Sequence, residues 1–98
     1  MKKITLICAA GMSTSLLVTK MKAAAEKLGE EVEIRAIAES KFKEFENDTD
    51  VLLLGPQVGF LLKKFKEKYE SQFPVAVIDS IDYGMMNGEK VLKKALSL

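Results

Sequence analysis

Residues 3–17 read KITLICAAGMSTSLL, and this stretch decides the fold. Lys3 to Cys8 is short, apolar and rich in β-branched residues, the composition of a buried strand. Small residues and Gly11 then make a turn, and Ser13, Thr14 and Ser15 open a segment of helical period. In that segment Leu17, Met21, Ala24 or Ala25, and Leu28 recur on one face, with Gly29 where a C-terminal cap belongs. A strand, a tight small-residue turn and a helix together make the first half of a βαβ unit.

Working outward, the same alternation continues. Val32, Ile34 and Ala36 alternate with Glu33 and Arg35, which predicts a strand with one wet face at a sheet edge. A short helix is expected from about Ser40, anchored by Phe42 and Phe45. Val51–Leu54 and Val75–Ile78 are continuously apolar, as parallel strands covered on both faces are. Between them Leu61, Phe65 and Tyr69 share a helical face, and a last helix starts near Asn87, carrying Val91, Leu92, Ala95 and Leu96. The order β-α-β-α-β-α-β-α predicts an α/β domain: a four-stranded parallel sheet flanked by helices on both faces. Ligand sites in such sheets lie beyond the carboxyl ends of the strands. Three segments converge there: 8–15, 55–59 and 79–84.

Bulk composition narrows the chemistry. Ninety-eight residues predict one domain. Fifteen basic and 14 acidic side chains leave a formal charge of +1, which gives no electrostatic reason to expect nucleic acid. Lys63, Lys64, Lys66 and Lys68 fall on one amphipathic helix and read as a solvated face. A single cysteine precludes an intrachain disulfide, and with no histidine a zinc site lacks ligands, so no metal and no cofactor are expected. The first apolar run is too short to cross a bilayer, and a reduced, cytoplasmic setting is expected.

Cys8 through Ser15 carry the candidate chemistry. Ala9, Ala10 and Gly11 allow successive N–H groups to turn inward as an anion nest, and the following helix adds its unpaired amides and positive dipole end. Hydroxyls of Ser13, Thr14 and Ser15 are further donors. The same surroundings are expected to lower the Cys8 thiol below its usual value of about 8.5 and make it a nucleophile. Each feature alone has a blander meaning: a lone cysteine is usually a small buried hydrophobe, and Ser-Thr-Ser usually an N-cap. Their coincidence at the carboxyl end of the first strand points to an anion site.

CAAGMSTSLL resembles the phosphorylation loop of the enzyme IIB components of the bacterial phosphotransferase system, lactose/cellobiose/chitobiose class. LLLGPQV at Leu52 to Val58 and VIDSIDYGMMNGEKVL at Val77 to Leu92 extend the resemblance over nearly the whole chain. It implies that Cys8 takes a phosphoryl group from phosphohistidine of enzyme IIA. Cys8 would then pass it to a disaccharide held by membrane enzyme IIC, with this chain meeting the membrane only through that partner. A carrier that changes partners is expected to be monomeric. Low-molecular-weight tyrosine phosphatases also use a strand-to-helix cysteine, written C-x5-R-S. Here the sixth residue after Cys8 is Thr14, so the guanidinium that clamps a transferring phosphoryl group is missing. Against this, Asp79 and Asp82 stand where those phosphatases keep an acid, and Asp82-Tyr83 is similar to their Asp-Pro-Tyr. A single-cysteine redox or anion sensor is a third reading, without a resolving cysteine in this chain.

Six further residues bear on the site or the docking surface. Met12, at the loop tip, either docks onto both partners or folds back under the loop. Gln57 either reaches the phosphate region or serves a turn. Asp82 and Tyr83 either border the site or are a turn residue and a half-buried structural tyrosine. Of Met85 and Met86, one is expected to pack inward and the other to extend the docking surface.

Overall fold

The computed structural model describes residues 1–8 and 11–98, with residues 11–14 described through their backbone. Four parallel strands, β1 (Lys2–Ile7), β2 (Val32–Ile37), β3 (Val51–Leu54) and β4 (Val75–Val77), form one sheet in the order β2-β1-β3-β4. The helices are α1 (Gly11–Leu28), α2 (Leu62–Tyr69), α3 (Ser80–Gly84) and α4 (Gly88–Ser97). Ile4 to Ile7 and all of β3 are buried, as the continuous apolar runs require of central strands. β2 lies at an edge, as its charged alternation predicts, with only Ile34 buried. β4 takes the other edge, which leaves Ala76 and Val77 partly exposed despite their apolar run.

Alternation along the strands divides the core in two. Ile4, Leu6, Ile34, Val51 and Leu53 pack against α1 and α4, through Leu17, Met21, Val91 and Leu92. Ile7, Leu52, Leu54 and Val75 meet Phe42, Leu61, Phe65, Tyr69 and Phe73 on the opposite side. There Phe42 stands edge-on to Phe65, Tyr69 and Phe73, with centroids 5.6, 5.2 and 6.1 Å away. The Tyr69 hydroxyl donates to Glu46 at 2.6 Å; burial, then this carboxylate, push it up to about 12. On α2, Lys63, Lys64, Lys66 and Lys68 are all exposed, the solvated face expected of them.

Two segments differ from expectation. The segment between β2 and β3 is not an α-helix but two 3₁₀ segments, Glu39–Glu44 and Glu46–Asp48. Three residues per turn stack Phe42 and Phe45 on one side. Phe42 enters the core, while Phe45 stays half-buried under the Arg35 guanidinium, 4.9 Å from its ring centre. The segment after β4, expected as a turn, is the short helix α3. Asp79 makes it one by accepting from the N–H groups of Ile81 at 2.8 Å and Asp82 at 3.3 Å. These two donors hold the Asp79 carboxyl below the ordinary carboxylate range.

Asn87 caps α4 through the Lys90 N–H at 3.2 Å. Gly88, the first residue of that helix, touches α1: a Cβ there would lie 2.5 Å from the Lys20 carbonyl carbon and 2.6 Å from the Met21 nitrogen. Only a residue without a side chain lets the helices meet so closely. α1 itself ends on Gly29, in the left-handed region at φ 72°.

Gly88→Ala is therefore expected to destabilise the protein by about 1–3 kcal/mol, the range of core overpacking. The denaturant midpoint should fall with its slope intact; an unchanged midpoint would show that the crossing has slack. Asp79 generates a pH dependence. Its folded value lies below the unfolded value of about 3.9, so its contribution is full above that value and fades as pH falls through the folded one. Asp79→Ala should lower the urea midpoint at neutral pH, and the gap to the unaltered protein should narrow below about pH 4. A gap that stays constant into strong acid would contradict this.

Candidate functional site

Strand register assembles the carboxyl edge. Ile7 lies opposite both Ile37 and Leu54, and Leu54 opposite Val77, so all four strands end level. The ladder runs one residue further: Gly55 N–H donates to Ile7 and Ile78 N–H to Leu54, each at 2.8 Å, and Cys8 N–H to Ile37 at 3.4 Å. Cys8, Gly55 and Ile78 thus leave the sheet side by side, and the three segments picked from the sequence meet.

Cys8 points to the α1/α4 side of the sheet, in step with Ile4 and Leu6, and is 6% exposed. Burial of that degree also suits a merely apolar cysteine. Its surroundings are not merely apolar, because the Tyr83 hydroxyl lies 3.4 Å from its Sγ. Gly55 borders Cys8 on the β3 side. A Cβ on Gly55 would come 3.7 Å from the Cys8 Cβ, 3.4 Å from the Ile7 carbonyl oxygen and 3.0 Å from the Gln57 Oε1. Gln57 is exposed, yet its carboxamide folds back over Gly55, on the side where Cys8 lies.

α1 begins at Gly11, two residues earlier than the Ser13 start expected from the hydroxyl run. Gly11 is thus the first helical residue rather than the middle of a loop. Ala9 and Ala10 lie outside the described residues, as do the side chains of Met12, Ser13 and Thr14, and with them the expected anion nest and the docking role of Met12. Ser15 is exposed in the helix, and its carbonyl accepts from the Thr19 hydroxyl at 3.1 Å. No acidic residue occupies the first turn of this 18-residue helix, so no side-chain charge there opposes an anion.

Asp82 is buried, and its carboxylate pairs with Lys90 of α4 at 3.5 Å. This ties α3 to α4, where the sequence suggested a turn residue. Tyr83 is buried rather than half-buried, 7% exposed. Met86 packs against the core beneath α1 and α4, while Met85 is 73% exposed. Two more exposed apolar side chains, Phe60 at 79% and Ile81 at 68%, stand on segments that follow β3 and β4. Both were missed in the sequence; their signal is that they fall off the helical phase of their buried neighbours. Among the described residues, no group of three or more acidic or cysteine side chains is placed to hold a metal ion, and no helix is long and apolar enough to cross a membrane.

Comparison with known proteins agrees with this architecture. The oligo-beta-mannoside-specific EIIB component of the phosphotransferase system (PTS) of Bacillus subtilis is 52% identical, over all of this chain and 96% of the relative. The PTS galactose-specific EIIB component of Lactococcus lactis subsp. cremoris is 48% identical, over 99% of this chain and 95% of the relative. The solution structure of a cellobiose-specific phosphotransferase IIB component from Borrelia burgdorferi superposes with a TM-score of 0.80 at 42% identity, covering 98% of this chain and 89% of that one. IIB components are phosphotransferases of bacterial sugar transport, and they work with IIA and IIC components. Residues 3–94 match the family model of the PTS lactose/cellobiose-specific IIB subunit, and the chain belongs to that family.

Proposed function

We infer that Cys8 is the residue that carries the phosphoryl group, in a single phosphocysteine-carrier domain. The observation that supports this most is the placement of the sulfur. Cys8 ends a central strand, level with Gly55 and Ile78, just ahead of a helix N-terminus without acidic residues. Residues 9–15, from Ala9 and Ala10 through Gly11, Met12, Ser13 and Thr14 to Ser15, form the phosphate-binding segment. The thiolate attacks phosphorus of a phosphohistidine on enzyme IIA, the P–N bond breaks, and imidazole leaves. A hydroxyl of a disaccharide bound by membrane enzyme IIC then attacks the same phosphorus, and the P–S bond breaks. The chain contains no histidine, so the imidazoles of this relay belong to its partners.

The names of the relatives differ in their sugars, which fits a carrier that leaves sugar choice to the membrane component. The carrier works in the cytoplasm, at the inner face of the membrane while it is docked, and as a monomer. Exposed Phe60, Ile81 and Met85, on the segments that follow β3 and β4, supply apolar contact area for partners that must bind and leave. A hydrolase is disfavoured by Thr14, which stands where the phosphatases carry a guanidinium. Without that clamp, attack by water lacks a stabilisation worth ~10³ or more in rate.

Incubation with phosphoenolpyruvate, the general phosphotransferase proteins and enzyme IIA should add one phosphoryl mass, and Cys8→Ser should abolish the gain. A gain that survives this substitution would remove Cys8 from the mechanism. Thr14→Arg should shorten the life of the phosphorylated protein in water by about tenfold or more, read by intact mass against time. An unchanged lifetime would mean that something other than the missing cation protects the phosphocysteine.

A further inference from the structure

Among the described residues Tyr83 brings its hydroxyl to the sulfur, and the surrounding elements fix it there. Asp79 starts α3, the Tyr83 N–H donates to the Asp79 carbonyl at 2.9 Å, and Asp82 next to it is tied to Lys90 of α4. The phenol therefore sits on a short helix anchored at both its beginning and its flank. At a 3.4 Å separation from Sγ, a neutral thiol and a phenol can each be the donor. A thiolate can only accept, and the phenol must then donate to it.

We propose that Tyr83 is a catalytic residue of the carrier, whose hydroxyl donates a hydrogen bond to the Cys8 sulfur when that sulfur is an anion. This rests on the reading of Cys8 as the phosphoryl acceptor. In transfer to the sugar, the sugar oxygen forms its bond to phosphorus and the P–S bonding pair returns to sulfur. The sugar hydroxyl proton is released to water. Charge grows on Sγ in that step, and a donor aimed at Sγ is worth more there than in the phosphocysteine, whose sulfur is uncharged. Tyr83 thereby makes the sulfur a better leaving group. In the loading step the same bond makes the thiolate more abundant but less nucleophilic. The hydroxyl thus biases the carrier towards giving up its phosphate rather than storing it.

Tyr83→Phe removes the oxygen and keeps the ring. The test follows alkylation of Cys8 by iodoacetamide across pH in the full-length chain, unaltered and substituted. Loss of a hydrogen bond to a charged group should lower the thiolate fraction near neutral pH about tenfold. The more basic thiolate recovers about threefold in intrinsic reactivity. The substituted protein should therefore react about threefold more slowly near neutral pH and about threefold faster where both thiols are fully ionised, so that the two curves cross. A merely structural tyrosine would scale the whole curve by one factor or leave it unmoved, and either result would overturn the proposal.

Should the Phe variant fail to fold, monofluorinated tyrosine serves instead, because its hydroxyl is the stronger donor. The alkylation curve should then move to lower pH, and an unmoved curve would overturn the proposal. Tyr69, the other tyrosine of the chain, lies in the cluster across the sheet. In the reconstituted relay, Tyr83→Phe should also slow discharge of the phosphoprotein to sugar about tenfold. Phosphorylation that persists in Cys8→Ser would defeat the acceptor reading, while the alkylation curves test the Tyr83–Cys8 bond in either case.

Discussion

The alignment of four parallel strand ends is the constraint on which the rest of the molecule depends. Parallel hydrogen bonding places Ile7, Leu54 and Val77 at one level, and the backbone ladder carries that alignment to Cys8, Gly55 and Ile78. A slip of one residue would send every side chain of the slipped strand to the opposite face. For β1 that would move Cys8 from the side of α1 and α4 to the aromatic cluster of Phe42 and Phe65. The apolar pattern that buries the strand and the chemistry at its end are therefore specified together. Neither can change without the other.

Close approach is the second requirement. Gly88 keeps α4 against α1. It acts through the missing Cβ rather than through an unusual backbone angle. With α4 drawn in, Lys90 reaches Asp82 and steadies the short helix that presents Tyr83. A contact between two helix backbones thus bears on the position of a phenol at the sulfur.

Much of this was legible in the sequence because burial on both faces leaves an apolar run, and exposure on one face leaves an alternation. Those signals located all four strands within a residue or two and set β2 at an edge. They located α1 less well at its start, since Gly11 carries no helical period of its own. The segment from Glu39 to Asp48 misled because Phe42 and Phe45 at spacing three suit an α-helix and a 3₁₀-helix alike. The edge position of β4 was hidden for a similar reason: Val-Ala-Val is apolar whether or not a neighbour covers it. At the site, the family resemblance and the position of Cys8 could be read directly. The Tyr83 contact could not, because it joins residues 75 positions apart through a helix whose cap, Asp79, is equally good as a turn residue. The fold of the Gln57 carboxamide over Gly55 is also a tertiary outcome, without a local signature.

The margins of the sheet have a consequence for how the chain behaves in a crowded cell. An open parallel sheet offers two rows of unsatisfied backbone groups, each a template on which a second copy can polymerise. Here one margin is the three-residue β4, too brief to template much. The other, β2, carries Glu33 and Arg35, with the guanidinium held to Asp48 at 3.0 Å. Pairing a second strand with this margin would have to bury these charged side chains or part the ion pair. Edge-to-edge pairing of two copies is thereby disfavoured at both margins of the sheet.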